Sequence, residues 1–308
     1  MIEYMRHKYI GGNMSKIAFV FPGQGAQHTG MGMDLVEKSK GAKNLMTVAD
    51  DLLDFDLFDL LSNEEAPINE TAFTQPALVA VSVALLHEFV NKTNIKPDYV
   101  AGLSLGEYSA HVASGSLKFE DAITLVRKRG LFMEEAGKLT KGAMAAIVKG
   151  DVDSINKYCS EEEGIVGVAN YNSPIQVVIS GEEDSVKRVS ERLRADKVRV
   201  IPLNVSGAFH SPLMEPAREE LAAAIENTIF SKPNCPIYQN VTAYAVTDEA
   251  SIKANLISQL TAPVRWTQSV QQMITDGATL FTEVGPGNVL QGLVKKINRD
   301  AETASASL

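Results

Sequence analysis

A serine hydroxyl attacks a carbonyl only when a sharp turn exposes it and a nearby base takes its proton. Residues 102–106, Gly102-Leu103-Ser104-Leu105-Gly106, have the G-x-S-x-G composition of such a turn. The flanking glycines let neighbouring backbone pass close to the serine without a Cβ clash. A helix starting just beyond Ser104 favours negative charge at its N-terminus, where the Leu105 N–H can donate to a developing oxyanion. Five histidines are available as the base: His7, His28, His87, His111 and His210. His111 lies two helical turns past Ser104, about 10 Å away along a helix axis and out of direct reach. His210 sits in Ser206-Gly207-Ala208-Phe209-His210-Ser211-Pro212, a loop between a strand and a helix, where α/β folds collect their sites. It is the candidate base, with a structurally satisfied histidine as the alternative.

The elements around these residues alternate. Lys16–Phe21 (KIAFVF) has the apolar run of a buried strand and ends in the tight loop Pro22-Gly23-Gln24-Gly25. Helical patterns cover 74–92, 105–113 and 119–139, with a short strand over 99–103 leading into Ser104. This is α/β with a largely parallel sheet. Between 143 and 203 the order becomes βαββαβ, a ferredoxin-like pattern, with Tyr171-Asn172-Ser173-Pro174 read as the turn of its central hairpin. Helices over 212–229, 250–260 and 264–276 and strands over 236–241 and 279–284 return the chain to the larger body. The expected architecture is a large α/β-hydrolase-like domain of residues 14–139 and 207–300, with a small ferredoxin-like domain of residues 140–206 inserted. Residues 1–13, ahead of Met14-Ser15-Lys16, read as a tag or N-terminal extension.

Composition narrows the function. Of 308 residues, 45% are apolar and 22% charged, as in a soluble globular protein. Acidic residues outnumber basic ones 38 to 29, for a net charge of −9, which argues against a nucleic-acid partner. Cys159 and Cys235 do not make a disulfide framework and fit reduced thiols in a cytoplasmic protein. Neither has a partner at metal-ligand spacing, so no metal is assigned. The longest apolar stretch, 77–86, is too short to span a bilayer and reads as a buried helix, so no membrane contact is expected.

Seven segments in order resemble the malonyl-coenzyme A:acyl carrier protein transacylase family. They are Phe21–Gln27 (FPGQGAQ), Gly102–Tyr108 (GLSLGEY), Leu125–Gly130 (LVRKRG), Val168–Pro174 (VANYNSP), Phe209–Met214 (FHSPLM), Gln259–Trp266 (QLTAPVRW) and Glu283–Gly292 (EVGPGNVLQG). Together they span nearly the whole chain. Leu103 stands where several family members carry histidine, a position with no required chemical role. The resemblance implies a ping-pong transfer of malonyl from malonyl-CoA to the phosphopantetheine thiol of acyl carrier protein, for fatty acid biosynthesis. Malonyl-CoA is then a substrate and CoA a product, with no permanently bound cofactor.

The resemblance also implies residue roles. Ser104 is the nucleophile and His210 its base. Gln259 orients His210 through its backbone carbonyl. The backbone N–H of Gln24 completes the oxyanion hole with Leu105. Arg129 binds the malonyl carboxylate, although by sequence alone Arg127-Lys128-Arg129 reads as a solvated helix face. Asn170 and Asn172 match positions near the acyl-CoA cleft. An acidic carrier protein meeting an acidic enzyme needs a local basic patch, and Lys187, Arg188, Arg192, Arg194, Lys197 and Arg199 are the candidates. Three rival readings share part of the pattern. A serine hydrolase would use Asp184 or Asp196, a patatin-like Ser–Asp enzyme Asp276, and an inactive carrier-protein scaffold none of them.

Overall fold

The strand β1, Lys16–Phe21, is buried along almost its full length, because it lies in the middle of a parallel sheet covered on both faces. The computed structural model describes residues 16–306. The expected tag or extension at residues 1–13 lies outside them. After β1 come the helices α1 (Met33–Lys38), α2 (Lys40–Leu52), α3 (Leu57–Ser62) and α4 (Thr71–Thr93). Then follow β2 (Tyr99–Gly102), α5 (Gly106–Ala113) and α6 (Phe119–Leu139). A second group contains β3 (Gly142–Val148), α7 (Val152–Ser160), β4 (Val166–Ser173), β5 (Gln176–Glu182), α8 (Glu183–Ala195) and β6 (Arg199–Pro202). A 3₁₀ turn, Pro212–Met214, leads to α9 (Glu215–Glu226), β7 (Ile237–Tyr238), β8 (Ala245–Val246) and α10 (Glu249–Gln259). The last elements are α11 (Trp266–Thr275), β9 (Ala278–Glu283), α12 (Val289–Ile297) and β10 (Glu302–Ser305).

The large sheet has the order β10-β9-β1-β2-β7-β8 and is parallel except for the β7–β8 pair. In register, Phe21 pairs with Gly102, so the loops leaving β1 and β2 emerge side by side. Helix α4 is long and apolar enough to cross a membrane by length and composition, but most of it is buried inside the protein. It packs against α2 and α6 on one face of the large sheet.

The second sheet, β4-β5-β3-β6, is antiparallel throughout, the order a ferredoxin-like βαββαβ unit produces. Its strands alternate between two environments, with register shifts in β4 at Val168/Asn170 and Tyr171/Ser173. Ala145, Ile147, Val168, Val177 and Ile179 pack with Ile155, Val186, Val189 and Leu193 of α7 and α8. Met144, Ala146, Ala169 and Val178 face the other way and join the core of the large body. The small sheet is thus buried on both faces. Its edge strand β4 is also stitched to the large body: Tyr171 N donates to Val264 O (2.9 Å) and Val264 N to Ala169 O (2.8 Å).

Beyond the shortened strand β7 and the added two-residue strand β8, two elements depart from the sequence expectation. Residues 171–173 are strand, not turn, with Tyr171 opposite Val177 and Ser173 opposite Gln176. Pairing on both edges of β4 overrides the turn propensity of Asn172 and Ser173, and the hairpin closes at Pro174-Ile175. The large sheet also extends past residue 300, because β10 adds a parallel edge beside β9. Its sequence, Glu-Thr-Ala-Ser, carries no apolar run that marks a strand.

Candidate active site

The carboxyl end of β2 places Ser104 on a turn that only glycine neighbours allow. A Cβ on Gly102 would lie 1.9 Å from the Gly106 carbonyl carbon, and one on Gly106 would lie 2.1 Å from Phe21 O. Ser104 itself has φ +52°, the left-handed region that costs a non-glycine residue about 1–2 kcal/mol. His210 also sits there, at φ +57°. Strain of this kind persists where surrounding structure holds it, and it clusters at functional sites.

The two strained residues meet. Ser104 Oγ is 2.7 Å from His210 Nε2, and His210 Nδ1 is 2.8 Å from the backbone carbonyl of Gln259. A carbonyl only accepts, so Nδ1 carries the ring proton and Nε2 is the free acceptor facing the serine O–H. Burial, reinforced by the positive charge of Arg129, lowers the His210 pKa to about 4. The imidazole is therefore neutral at ordinary pH and able to take a proton.

Arg129 closes the third side. It is fully buried, at 1% exposure. Nη2 donates to Ser104 Oγ (3.2 Å) and to Gln259 Oε1 (3.1 Å), and Nη1 donates to Gln75 Oε1 (2.9 Å). All three acceptors are neutral, and Nε has no partner among the described residues. Burial depresses the guanidinium pKa below its usual range. Gln259, at the end of α10 and fully buried, joins the whole group. Its carbonyl pins His210, its Oε1 takes Arg129, and its Nε2 donates to Ser104 O at 3.1 Å.

The oxyanion candidates are adjacent. The N–H groups of Gly106, Glu107 and Tyr108 are taken by the carbonyls of residues 103–105. The Leu105 N–H, just ahead of α5, has no such bond among the described residues. The Gln24 loop lies against the same turn, since a Cβ on Gly23 would come within 2.3 Å of Leu103 O. The Gln24 side chain donates to Thr71 Oγ1 at 3.1 Å.

Other sequence candidates lie apart. Asn170 is buried on β4 at the bridge to Val264, and Asn172 Oδ1 is buried without a hydrogen-bond partner among the described residues. No hydrogen bond among the described residues joins either to Ser104, His210 or Arg129. Of the six basic residues on the small sheet's helical face, two are neutralised. Arg188 bonds Glu162 (2.6 Å), and Arg192 bonds Glu161 (2.5 Å) while stacking on the Tyr158 ring at 4.0 Å. Lys187, Arg194, Lys197 and Arg199 are exposed. The remaining described histidines are also placed: His111 bonds Ser116 Oγ (2.9 Å), His87 lies beside Asn91 and Glu88, and His28 is exposed.

Sequence reasoning overlooked Gln75 and Asn240. Asn240 had a signal, since it follows the short strand β7 that neighbours β2 at the carboxyl end of the sheet. Gln75, inside the apolar helix α4, had none.

The geometry removes the carboxylate-based rivals. A carbonyl, not an aspartate, holds His210. Asp196 accepts from Tyr158 Oη (2.5 Å), and Asp184 is exposed on the first turn of α8. Asp276 lies with Tyr238, and its carbonyl with Tyr99 and Lys16, at the opposite end of the sheet from Ser104. What the cluster can do is attack a carbonyl with a serine beside a neutral base, while a buried cation faces the same hydroxyl.

Known proteins are similar to this chain in sequence and in fold. The family model described as acyl transferase domain matches residues 18–308. The malonyl CoA-acyl carrier protein transacylase of Bacillus subtilis is 46% identical over 299 residues, covering 96% of this chain and 94% of that protein. The crystal structure of an acyl carrier protein S-malonyltransferase from Vibrio cholerae superposes with a TM-score of 0.90 at 41% identity, covering 94% of this chain and 96% of that one. A malonyl-transacylase solved in complex with a type II polyketide acyl-carrier protein superposes with a TM-score of 0.90 at 40% identity, over 94% and 96% of the two chains.

Proposed function

The chain belongs to the acyl transferase family, among its malonyl CoA-acyl carrier protein transacylases, and from that premise we propose that it moves malonyl from malonyl-CoA to the phosphopantetheine thiol of acyl carrier protein through an ester on Ser104. One observation carries the residue assignment: Ser104 Oγ lies within hydrogen-bond reach of both a neutral histidine and a buried arginine.

In the first half-reaction the malonyl carboxylate replaces the neutral acceptors of Arg129. An arginine binds a carboxylate with two parallel charge-assisted bonds, strong in a dry setting. Ser104 Oγ attacks the thioester carbon while its proton passes to His210 Nε2. The tetrahedral oxyanion is received by the backbone N–H groups of Leu105 and Gln24. Collapse breaks the C–S bond, and the coenzyme A sulfur takes the proton from His210. In the second half the pantetheine thiol gives its proton to His210 and attacks the ester carbon. The C–Oγ bond breaks, and Ser104 recovers the proton.

No resident cofactor is required, since CoA enters and leaves with substrate. The free thiols Cys159 and Cys235 suit the reducing cytoplasm, and the pathway supplied is fatty acid biosynthesis. Docking of the carrier protein involves the exposed Arg194, Lys197, Arg199 and Lys187, with Arg188 and Arg192 contributing less because glutamates already hold them. Motif position alone assigns Asn170 and Asn172 to the acyl-CoA approach. The domain units are the two sheets with their own helices: residues 14–139 and 207 onward through β10, and residues 140–206.

Intact-mass measurement after exposure to malonyl-CoA and, in parallel, acetyl-CoA tests the reading. A malonyl adduct absent from Ser104→Ala and discharged by holo carrier protein is expected. Immediate release of free malonate would instead make the chain a hydrolase, and no adduct would make it a scaffold.

A further inference from the structure

The turn that carries Ser104 is held by a side chain from another strand, and no proton transfer in the proposed reaction uses that side chain. Asn240 is fully buried just past β7. Its Oδ1 accepts the Ser104 N–H at 2.6 Å, and its Nδ2 donates to Gly102 O at 2.7 Å. One carboxamide therefore spans residues 102 and 104, gripping the backbone on both sides of Leu103. Its own backbone is fixed in turn. Asn240 N donates to Glu107 Oε2 (2.7 Å), and Asn240 O accepts from Arg265 N (3.0 Å). Glu107 is itself buried on α5, and its other oxygen takes Gln239 Nε2 at 3.0 Å. Every polar atom of Asn240 is thus engaged, and the anchor returns to the helix that begins just beyond the nucleophile.

Building on the reading of Ser104 as nucleophile, we propose that Asn240 is a positioning residue that holds the serine turn in its reactive, left-handed shape. Two consequences follow from the bonds. With Oδ1 on the Ser104 N–H, that amide is occupied and cannot serve an oxyanion, which leaves the Leu105 N–H as the turn's free donor. With Oδ1 on the Ser104 N–H and Nδ2 on Gly102 O, the peptides on both sides of Leu103 cannot rotate, so Ser104 keeps φ +52° and Oγ stays on the line to His210 Nε2. Without the carboxamide, two buried backbone groups lose their partners and the strained serine relaxes toward ordinary φ. A displacement on the scale of 1 Å costs a reaction about 100-fold.

The test is single-turnover acylation by malonyl-CoA in Asn240→Ala and in Asn240→Leu, which fills a similar volume without polar atoms. Acylation about 30- to 100-fold slower is expected in both. KM for malonyl-CoA should stay within about twofold, and the pH midpoint of acylation should be that of the parent, because the base is untouched. Asn240→Asp keeps an acceptor for the Ser104 N–H but loses the donor to Gly102 O and sets a carboxylate against that carbonyl, so it should stay slow as well. A parent-like acylation rate in either Ala or Leu variant overturns the proposal, as does a rate loss matched by an equal rise in KM. Ser104→Ala run alongside separates the two levels. Labelling of that variant would sink the nucleophile itself, whereas its silence beside a fully active Asn240→Ala would sink only the role of Asn240.

Discussion

The nucleophile end of the large sheet and the helical face of the small sheet both carry arginines, and they treat the charge in opposite ways. On the small sheet, Arg188 and Arg192 lie at the surface in ion pairs with Glu162 and Glu161. Beside Ser104, Arg129 is buried at 1% exposure and has only neutral acceptors. The contrast holds even within α6. Two residues before Arg129, Arg127 makes a two-pronged pair with Asp54 (2.7 and 2.9 Å), bonds Ala72 O and covers the Phe55 and Phe73 rings. A buried cation with no carboxylate in hydrogen-bond contact is costly to a fold, and the buried Glu107 carboxylate offsets this only at a distance. A fold keeps one where an arriving anion completes the pair, and stability is given up for function there.

Removing the unmatched charge gives the largest effect. Arg129→Ala should lower kcat/KM for malonyl-CoA about 1,000-fold while acetyl-CoA turnover persists, measured with the two thioesters in parallel. Equal losses on both would make Arg129 part of the scaffold rather than the selector.

The same charge acts on the base. In the parent, acylation should be flat through neutral pH and fall as pH drops through about 4, where His210 becomes imidazolium and can no longer accept a proton. Arg129 helps hold that value down. In Arg129→Ala the midpoint should therefore move up toward the ordinary histidine range, read from single-turnover acetylation with circular dichroism to exclude acid unfolding. An unmoved midpoint would uncouple the two residues.

Stability should separate the regions in the reverse direction. Arg129→Met replaces an unpaired buried cation by an apolar chain and should raise the unfolding free energy by about 1–2 kcal/mol. Arg188→Met, at an exposed pair, should leave the denaturation midpoint almost unchanged. A destabilised Arg129→Met would mean its neutral hydrogen bonds outweigh its burial cost. The smallest effect belongs to docking. Reversing Arg194 and Lys197 to glutamate should raise KM for carrier protein about fivefold and leave KM for malonyl-CoA alone. Equal changes in both would place docking elsewhere.

Much of this was written locally in the chain. Lys16–Phe21 and Phe119–Leu139 follow from apolar pattern at the observed bounds, because period and length alone specify a buried strand and a long helix. The βαββαβ order of the second sheet is legible for the same reason. So is Ser104, since glycines at 102 and 106 are the local requirement of its turn. Long-range pairing decided the rest. Residues 171–173 became strand only because Val264 and β5 bond them from either side. Glu302–Ser305 became strand only because β9 offered an edge.

The sequence by itself determined the nucleophile turn, the order of the elements and, through motif order, the identity of Arg129 and His210. Only the tertiary structure decided that Arg129 lies buried with neutral hydrogen-bond acceptors only, how Gln259 ties His210, Arg129 and Ser104 together, and that Asn240 grips the serine turn. Each of these depends on residues 25 or more positions apart meeting at the carboxyl ends of parallel strands. A side chain's partners there are set by which strands are neighbours, and nothing in its local sequence encodes that.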